Sequence, residues 1–415
     1  MEETQNPGKN DHRRLGKELD LFIFSDLIGP GLPLWTPRGT VLRDELDRYV
    51  QEMRDEYGFQ PVTIPHITKK ELYQKSGHWT KFKEDLFHIK SREGHEFAMK
   101  PMNCPHHAQI YASRPRSYRA LPIRYRETTT NYRDEQTGEL NGILRTRSFT
   151  QDDAHVFCRE DQVVDEFLKI WTMVEKFYKN FDFSLKLRFS TRDAKTPEAY
   201  AGQPEQWDKA ETELKEALEK HGAANLEDGV GDAAFYGPKL DFLATDSLAR
   251  EWQVATIQID FAQPEGMDLT YTNEDGKSER PVMIHHAIMG SIERFLAVYI
   301  EHTGGKFPVW LAPEQVRVVA LNNEPDILKM AEVVLKKFKS AGIRATLDDS
   351  NETVAKKIRD AELMHIPYTI VIGEKEVKSG QVSPRARTDI KLATETLPIE
   401  KFLQEISQRA ISRTQ

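Results

Sequence analysis

Cysteine is nearly absent: 415 residues contain only Cys104 and Cys158. A disulfide framework is therefore excluded, and a reducing compartment fits. Long apolar runs are missing too. Stretches such as Val318–Leu321 and Tyr368–Ile372 fall far short of the ~20 residues a membrane-crossing helix needs. The first residues, Met1-Glu2-Glu3-Thr4-Gln5, carry no basic segment followed by an apolar one. No secretory signal is read there, no membrane association is expected, and a cytoplasmic location is. Nor is there an excess of positive charge: 58 Lys and Arg stand against 66 Asp and Glu, a net charge of −8. This argues against a generic nucleic-acid coat but not against a local basic surface. A composition of 39% hydrophobic and 30% charged residues excludes collagen-like and low-complexity classes. The length gives two or three globular domains.

What is present has a clear order. Residues 1–14 are polar and aperiodic and read as a loose entry segment. Between Arg43 and Tyr57, Leu46, Tyr49, Val50, Met53 and Tyr57 recur at helical spacing, and Gly58 stops the helix. Phe59–Pro65 reads as a strand. The two prolines of Lys100–Pro105 suggest a turn presenting Asn103 and Cys104 at an exposed point. Pro122–Glu127 and Arg145–Thr150 read as a long antiparallel hairpin around the polar loop Asp134–Gly142. A helix is expected over Glu160–Phe181, strands over Ala234–Phe242, Glu251–Phe261 and Val282–Ile284, and a helix over Met289–His302. Strands without regular alternation predict an α+β domain with an antiparallel sheet over residues 15–311. Past the proline-rich run Phe307–Pro313 the pattern changes. Strand and helix alternate from Val316 onward, predicting an α/β domain with mostly parallel strands over residues 312–415.

Several residue types suggest chemistry. Arg133, Arg145, Arg147 and Arg294 lie at strand and helix junctions, where a planar guanidinium suits phosphate or carboxylate. Any one of them also fits a surface ion pair. In a strand, Gln151, Asp153 and His155 would share one face with Phe149 and Phe157. An amide, a carboxylate and an imidazole in line are poor core material, although a solvent-facing edge strand accounts for them equally. Cys104, His155 and His285 are widely spaced and show no short-range metal pattern. One thiolate and two imidazoles would nevertheless leave a tetrahedral zinc with an open position, whereas a buried thiol is the plainer account of Cys104.

Long strings in order carry a resemblance. They include DHRRLGKELDLF from Asp11, SGHW from Ser76, KPMNCP from Lys100, FTQDDAH from Phe149, FYGPKLDF from Phe235, WQVATIQIDF from Trp252, the run Met283–Phe295, FPVWLAPEQV from Phe307 and KEVKSGQV from Lys375. From about Asn10 to about Arg387 the chain resembles the threonyl-tRNA synthetase family of class II aminoacyl-tRNA synthetases. Phe59–Pro65, Arg124–Phe149 and Gly290–Arg294 resemble the three class II motifs. The resemblance implies a catalytic domain followed by an anticodon-binding domain, and ligation of L-threonine to tRNA(Thr) through threonyl-adenylate. It implies zinc (Zn2+) on Cys104, His155 and His285, taking the amino and hydroxyl groups of threonine. Gln151, Asp153, Tyr236, Gln253 and Ser291 would serve the amino acid. Arg133, Glu135, Arg145, Phe149, Gln258 and Arg294 would hold ATP with magnesium (Mg2+), with Arg133 and Arg294 most directly on the phosphates. His78 would handle a proton in the second step. Asn351, Glu376 and Arg385 would read anticodon bases, whose free edges suit such side chains. Arg114, Arg116, Arg119, Arg124 and Arg126 form a basic cluster that fits either a tRNA backbone or an ion-pair network.

A homodimer is expected, since the first motif serves as the subunit interface in the class. The chain begins where the family's catalytic domain begins, so a short form is expected, with measurable serine activation and no editing of seryl-tRNA in cis. Four positions depart from the family pattern: His106, His286, Tyr132 and Asn141 stand where glycine, arginine, histidine and histidine are usual. They keep open an alternative, a catalytically inactive paralogue that binds RNA as a regulator.

Overall fold

A computed structural model describes residues 10–223, 226–245, 249–391 and 396–413. The described residues form two compact units, one from those within 24–33 and 47–298 and the other from those within 10–23, 34–46 and 299–413. Of the expected loose segment, residues 1–9 lie outside the described residues. His12–Glu18 is already helical, capped by the Asp11 carboxylate, which accepts from Arg13 N–H at 2.8 Å. His12 is pinned in turn by the buried carboxylate of Glu301 at 2.7 Å.

The larger unit is built on eight strands. In chain order they are β1 (Gln60–Pro61), β2 (Ile123–Tyr132), β3 (Ser148–Cys158), β4 (Lys186–Thr191), β5 (Leu226–Val230), β6 (Lys239–Thr245), β7 (Glu251–Asp260) and β8 (Val282–Ser291). Their order across the sheet is β5-β4-β6-β7-β8-β3-β2-β1. The expected antiparallel pairing holds through the centre, and only the two outermost pairs, β5 with β4 and β1 with β2, run parallel. The hairpin is longer than its apolar pattern suggested. Thr128-Thr129-Thr130 extend β2, and Thr130 pairs with Thr150, because β-branched side chains suit a pleated surface. The helix Pro204–His221, not anticipated, buries Trp207, Leu214 and Leu218 on one side and ends at Gly222 with φ 85°.

One further difference matters for the site. The helix expected from Met289 starts at Ile292, because β8 continues to Ser291 after a detour. Ala287 pairs with Asp153 and Ser291 with Gln151, so residues 288–290 all oppose Asp152. The buried Asp152 carboxylate takes the amides that the detour strands, Ile288 N–H at 2.9 Å and Met289 N–H at 3.1 Å. Gly290 closes the detour at φ 68°. Behind the sheet, Arg54 places Nη2 3.3 Å from Asp152 Oδ2, both side chains fully buried.

The helix Val163–Lys179 covers β7 and β8. Phe167, Ile170, Val174 and Phe177 repeat at three- and four-residue spacing and are buried. The Phe177 ring centroid lies 4.7 Å from Phe181, 5.4 Å from Phe295 and 5.5 Å from Tyr49. Each such aromatic contributes roughly 1.5–3 kcal/mol of burial.

In the other unit, Val316–Ala320 runs parallel to both Ala345–Asp348 and Tyr368–Ile372, with Arg385–Ala386 antiparallel at the edge. Val318, Ile370, Ile327, Phe338 and Phe402 share its core. The unbroken apolar strand beginning at Val316 is explained by this central position.

Candidate active site

A cavity of about 410 Å³ opens on the face of β3, β7 and β8. Its lining includes Phe149, Gln151, Asp153 and His155, the alternate residues of β3. It also includes Cys104, Arg133, Glu135, Arg145, Tyr236, Gln253, Gln258, His285, Ser291 and Arg294. Every residue assigned by resemblance to threonine, ATP or zinc thus lines one cavity. His78 does not.

At one end Cys104, His155 and His285 converge, their ligating atoms all within 4.8 Å of one another. His155 Nε2 lies 3.1 Å from His285 Nδ1. Strand register sets this distance, because His285 on β8 pairs directly with His155 on β3. The outer nitrogen of His285 is held by the buried Asp260 carboxylate at 2.8 Å, and that of His155 by His107 at 2.7 Å. Burial pushes the Cys104 thiol well up and the Gln263 amide pulls it back, the set a divalent metal would complete by replacing the thiol proton. A soft thiolate with two imidazoles, backed by a carboxylate, is donor chemistry that suits zinc. His78 is buried behind Cys104, with Nε2 3.7 Å from Sγ and Nδ1 2.9 Å from Ser76 Oγ. Burial pushes it down to about 4.

Next to this cluster sits Asp153. Its Oδ2 accepts from Asn103 Nδ2 at 2.9 Å, and Asn103 Oδ1 accepts from Lys100 Nζ at 2.8 Å. Asn103 is therefore not presented at an exposed turn as expected. It is fully buried, because Lys100–Asn103 tucks under β2, where Lys100 also meets Thr129 at 2.8 Å. The ammonium dictates which way the amide faces. Tyr236 stacks on His285 with ring centroids 5.1 Å apart, and its hydroxyl donates to Gln258.

The other end is cationic. The half-buried Arg133 lies over Phe149 at 5.1 Å and over Phe82 at 5.6 Å. Arg294 donates to the carbonyls of Leu144 at 3.2 Å and Gln253 at 3.3 Å and lies 5.6 Å over Trp252. Burial, then the neighbouring Arg133 and Arg145, pushes Arg294 down to about 10. Glu135 is engaged by Arg145, Nε to Oε2 at 2.7 Å. Half-buried guanidinium groups that repel one another suit an anion.

A class II tRNA synthetase core domain model (G, H, P, S and T) matches residues 87–303, and an anticodon binding domain model matches residues 315–409. The structure described as the RNA binding domain of threonyl-tRNA synthetase from Cryptosporidium parvum Iowa II superimposes with a TM-score of 0.90 at 37% identity, covering 96% of this chain and 98% of that one. The chain belongs to the threonyl-tRNA synthetase family. A threonine–tRNA ligase from Porphyromonas gingivalis is 47% identical over 414 residues, 98% of this chain and 63% of that protein. The chain thus spans under two thirds of the length of such relatives. Prolyl-tRNA synthetase from Cryptosporidium parvum shares the fold, with a TM-score of 0.72 at 14% identity.

In the synthetase core, the residues that sequence reasoning missed are those behind the lining: Lys100, His107, Glu127 and Asp260. Only Asp260 gave a signal, a carboxylate ending an apolar strand. The departures from the family pattern resolve individually. The Tyr132 hydroxyl lies within hydrogen-bond distance of His66 Nδ1, at 3.0 Å. His106 packs edge-on to Tyr73 at 6.1 Å and His286 to Phe59 at 5.1 Å, their ring nitrogens buried with no hydrogen-bond partner among the described residues. Asn141 bridges to Arg145 through the backbone. In the basic cluster, Arg124 forks onto Glu166 at 2.6 and 2.8 Å, and Arg126 reaches Asp55 at 2.6 Å. Arg116 holds the Tyr111 carbonyl at 3.0 Å, and Arg119 meets the Tyr118 hydroxyl at 3.0 Å.

In the anticodon-binding unit, Asn351 follows the carboxyl end of Ala345–Asp348 and is exposed. Glu376 follows Tyr368–Ile372, and its Oε2 accepts from Gly373 N–H at 2.9 Å. Arg385 is exposed on the edge strand opposite Thr369.

Proposed function

We propose that the chain ligates L-threonine to tRNA(Thr) in two steps. The observation that carries this reading is the single cavity in which a Cys104–His155–His285 cluster faces two half-buried arginines, Arg133 and Arg294.

A threonine carboxylate oxygen attacks the α-phosphorus of ATP as the bond to the bridging β-oxygen breaks. Threonyl-adenylate and pyrophosphate result. The terminal adenosine hydroxyl of tRNA then attacks the acyl carbon, AMP leaves, and the hydroxyl proton is released. Positioning and charge stabilisation carry most of the rate. Arg133 holds the α-phosphate, Arg145 supports it, and Arg294 takes the γ-phosphate and, with Phe149, the adenine. Glu135 reads the adenine edge from its clamp on Arg145. Magnesium accompanies the phosphates. Gln258 completes the nucleotide side, and Gln253 and Ser291 line the pocket.

Cys104, His155 and His285 would hold zinc, which would supply a Lewis acid for the amino and hydroxyl groups of threonine. Asp153 accepts from the threonine hydroxyl, Gln151 supports the polar groups, and Tyr236 takes the amino group. A site built around a hydroxyl rejects valine strongly, whereas serine lacks only a methyl. His78, buried against Cys104, handles a proton in the second step in this reading. Asn351, Glu376 and Arg385 read anticodon bases. The chain works as a homodimer, a reading supported by Phe24, Leu27 and Ile28, which are exposed together in one short segment, Leu27 at 98%.

The test is ATP–pyrophosphate exchange by zinc-replete protein with threonine, serine and valine, followed by charging of tRNA(Thr). Exchange with threonine is expected, weaker by about 10–200-fold in kcat/KM with serine, and absent with valine. No exchange with any of them, in protein that binds zinc and ATP, refutes the proposal and favours the RNA-binding paralogue.

A further inference from the structure

The proposed zinc ligands leave unexplained a chain of buried polar groups behind His155. His155 Nδ1 lies 2.7 Å from His107 Nδ1, the two rings edge-on with centroids 4.7 Å apart. Beyond, His107 Nε2 faces Glu127 Oε2 at 3.7 Å, and neither atom has another partner among the described residues. The second oxygen of Glu127 accepts from Ile64 N–H at 3.0 Å, which anchors the carboxylate.

Tautomers follow from these positions. Two imidazole nitrogens at hydrogen-bond distance need one donor and one acceptor. If His107 donated from Nδ1, its Nε2 lone pair would point at a carboxylate oxygen, and both would lack a proton. With the proton on Nε2 instead, His107 offers N–H toward Glu127 and a lone pair toward His155. His155 must then carry its proton on Nδ1, which leaves Nε2 free to ligate. That nitrogen is the one facing His285 Nδ1 at 3.1 Å, and His285 is fixed in the matching sense by Asp260 on its Nε2. Glu127, three groups from the metal position, therefore selects which nitrogen His155 presents.

We infer that His107, backed by Glu127, is the positioning residue that fixes the tautomer and ring orientation of His155 for metal ligation. The inference rests on the proposed zinc reading. It concerns a neutral hydrogen-bond relay and requires no change of protonation.

The test is zinc affinity by chelator competition on the full chain. His107→Phe keeps ring volume and removes the acceptor, and it is expected to weaken zinc about 10–100-fold. His107→Asn, whose amide oxygen can occupy the place of Nδ1, is expected to restore affinity to within about threefold of the parent, since the acceptor is regained. Equal loss in both variants, with unchanged thermal midpoints, overturns the inference in favour of simple packing. So does parent-like affinity in His107→Phe. Proton-coupled ¹⁵N spectra of histidine-labelled, zinc-loaded parent give a second readout without substitution. They should show the proton on Nδ1 of His155 and on Nε2 of His107, and the reverse at His107 refutes the relay. A parent that takes up no zinc overturns the metal reading itself, and the inference with it.

Discussion

Arg54 is the most consequential residue outside the cavity. Its guanidinium is fully buried behind the sheet, bonded to Asp152 O at 2.6 Å and 3.3 Å from Asp152 Oδ2. Asp152 in turn secures Ile288 and Met289, just before Gly290, Ser291 and Arg294. Arg54→Met keeps the aliphatic stem and strands a buried carboxylate. Breaking a buried pair from one side costs about 3–5 kcal/mol. At roughly 2–4 °C per kcal/mol for a unit of this size, the thermal midpoint should fall by roughly 6–20 °C. Adding Asp152→Asn removes the stranded charge and keeps an acceptor for one of the two detour amides. The double variant should therefore be more stable than Arg54→Met alone. Simple additivity in urea or thermal unfolding would sink the argument.

The same pair predicts a pH dependence. Asp152 is faced by Arg54 and Asp153, with the Tyr178 ring close by. Burial, opposed by Arg54 and by the two amides, pushes Asp152 up to about 7. A carboxyl raised above its unfolded value of about 3.9 holds its proton longer in the folded chain. Its contribution is present in full at low pH and is lost as pH climbs from about 4 to the folded value. Without Arg54 that folded value rises further. The variant should go on losing about 1.4 kcal/mol per pH unit above pH 7, where the parent has levelled off. A deficit that does not change between pH 7 and 9 refutes this.

Three further outcomes are expected. Asn103→Ala removes the donor on Asp153 and should lower kcat/KM for threonine about 10–150-fold, equivalent to about 1.5–3 kcal/mol for a hydrogen bond to a charged group. KM for ATP should hardly move, and pyrophosphate exchange at varied threonine and varied ATP separates the two. Gly290→Ala would put a methyl 2.9 Å from the Val254 carbonyl at φ 68°, so a loss of about 1–3 kcal/mol in urea unfolding is expected. Arg294→Ala should raise KM for ATP about 10–100-fold through lost charge-assisted bonds to phosphate, with KM for threonine little changed in the same assay.

How much of this was legible in the sequence depends on what each feature needs. Local pattern was enough for the Val163–Lys179 helix, since Phe167, Ile170, Val174 and Phe177 fall on one side by spacing alone. It was enough for the shared face of Gln151, Asp153 and His155, since alternation in a strand is a covalent property. It was enough too for the alternating carboxyl-terminal unit, where apolar strands and amphipathic helices follow one another. Whole strings at fixed positions carried the family, which no single motif could.

Other features arise only from pairing across the chain. The alignment of His155 with His285 is a register fact, set by β3 beside β8. The detour at residues 288–290 exists because Asp152 can accept the stranded amides, and nothing near Met289 announces it. Asn103 looked exposed because two prolines flank it, yet Lys100 and Thr129 draw it under the sheet. Glu127, Asp260 and Arg54 are ordinary charged residues in the sequence. Burial beside a specific partner makes them matter, because an unpaired charge is expensive there. Sequence alone determined which side chains could do chemistry; tertiary structure decided which atoms of those side chains face one another.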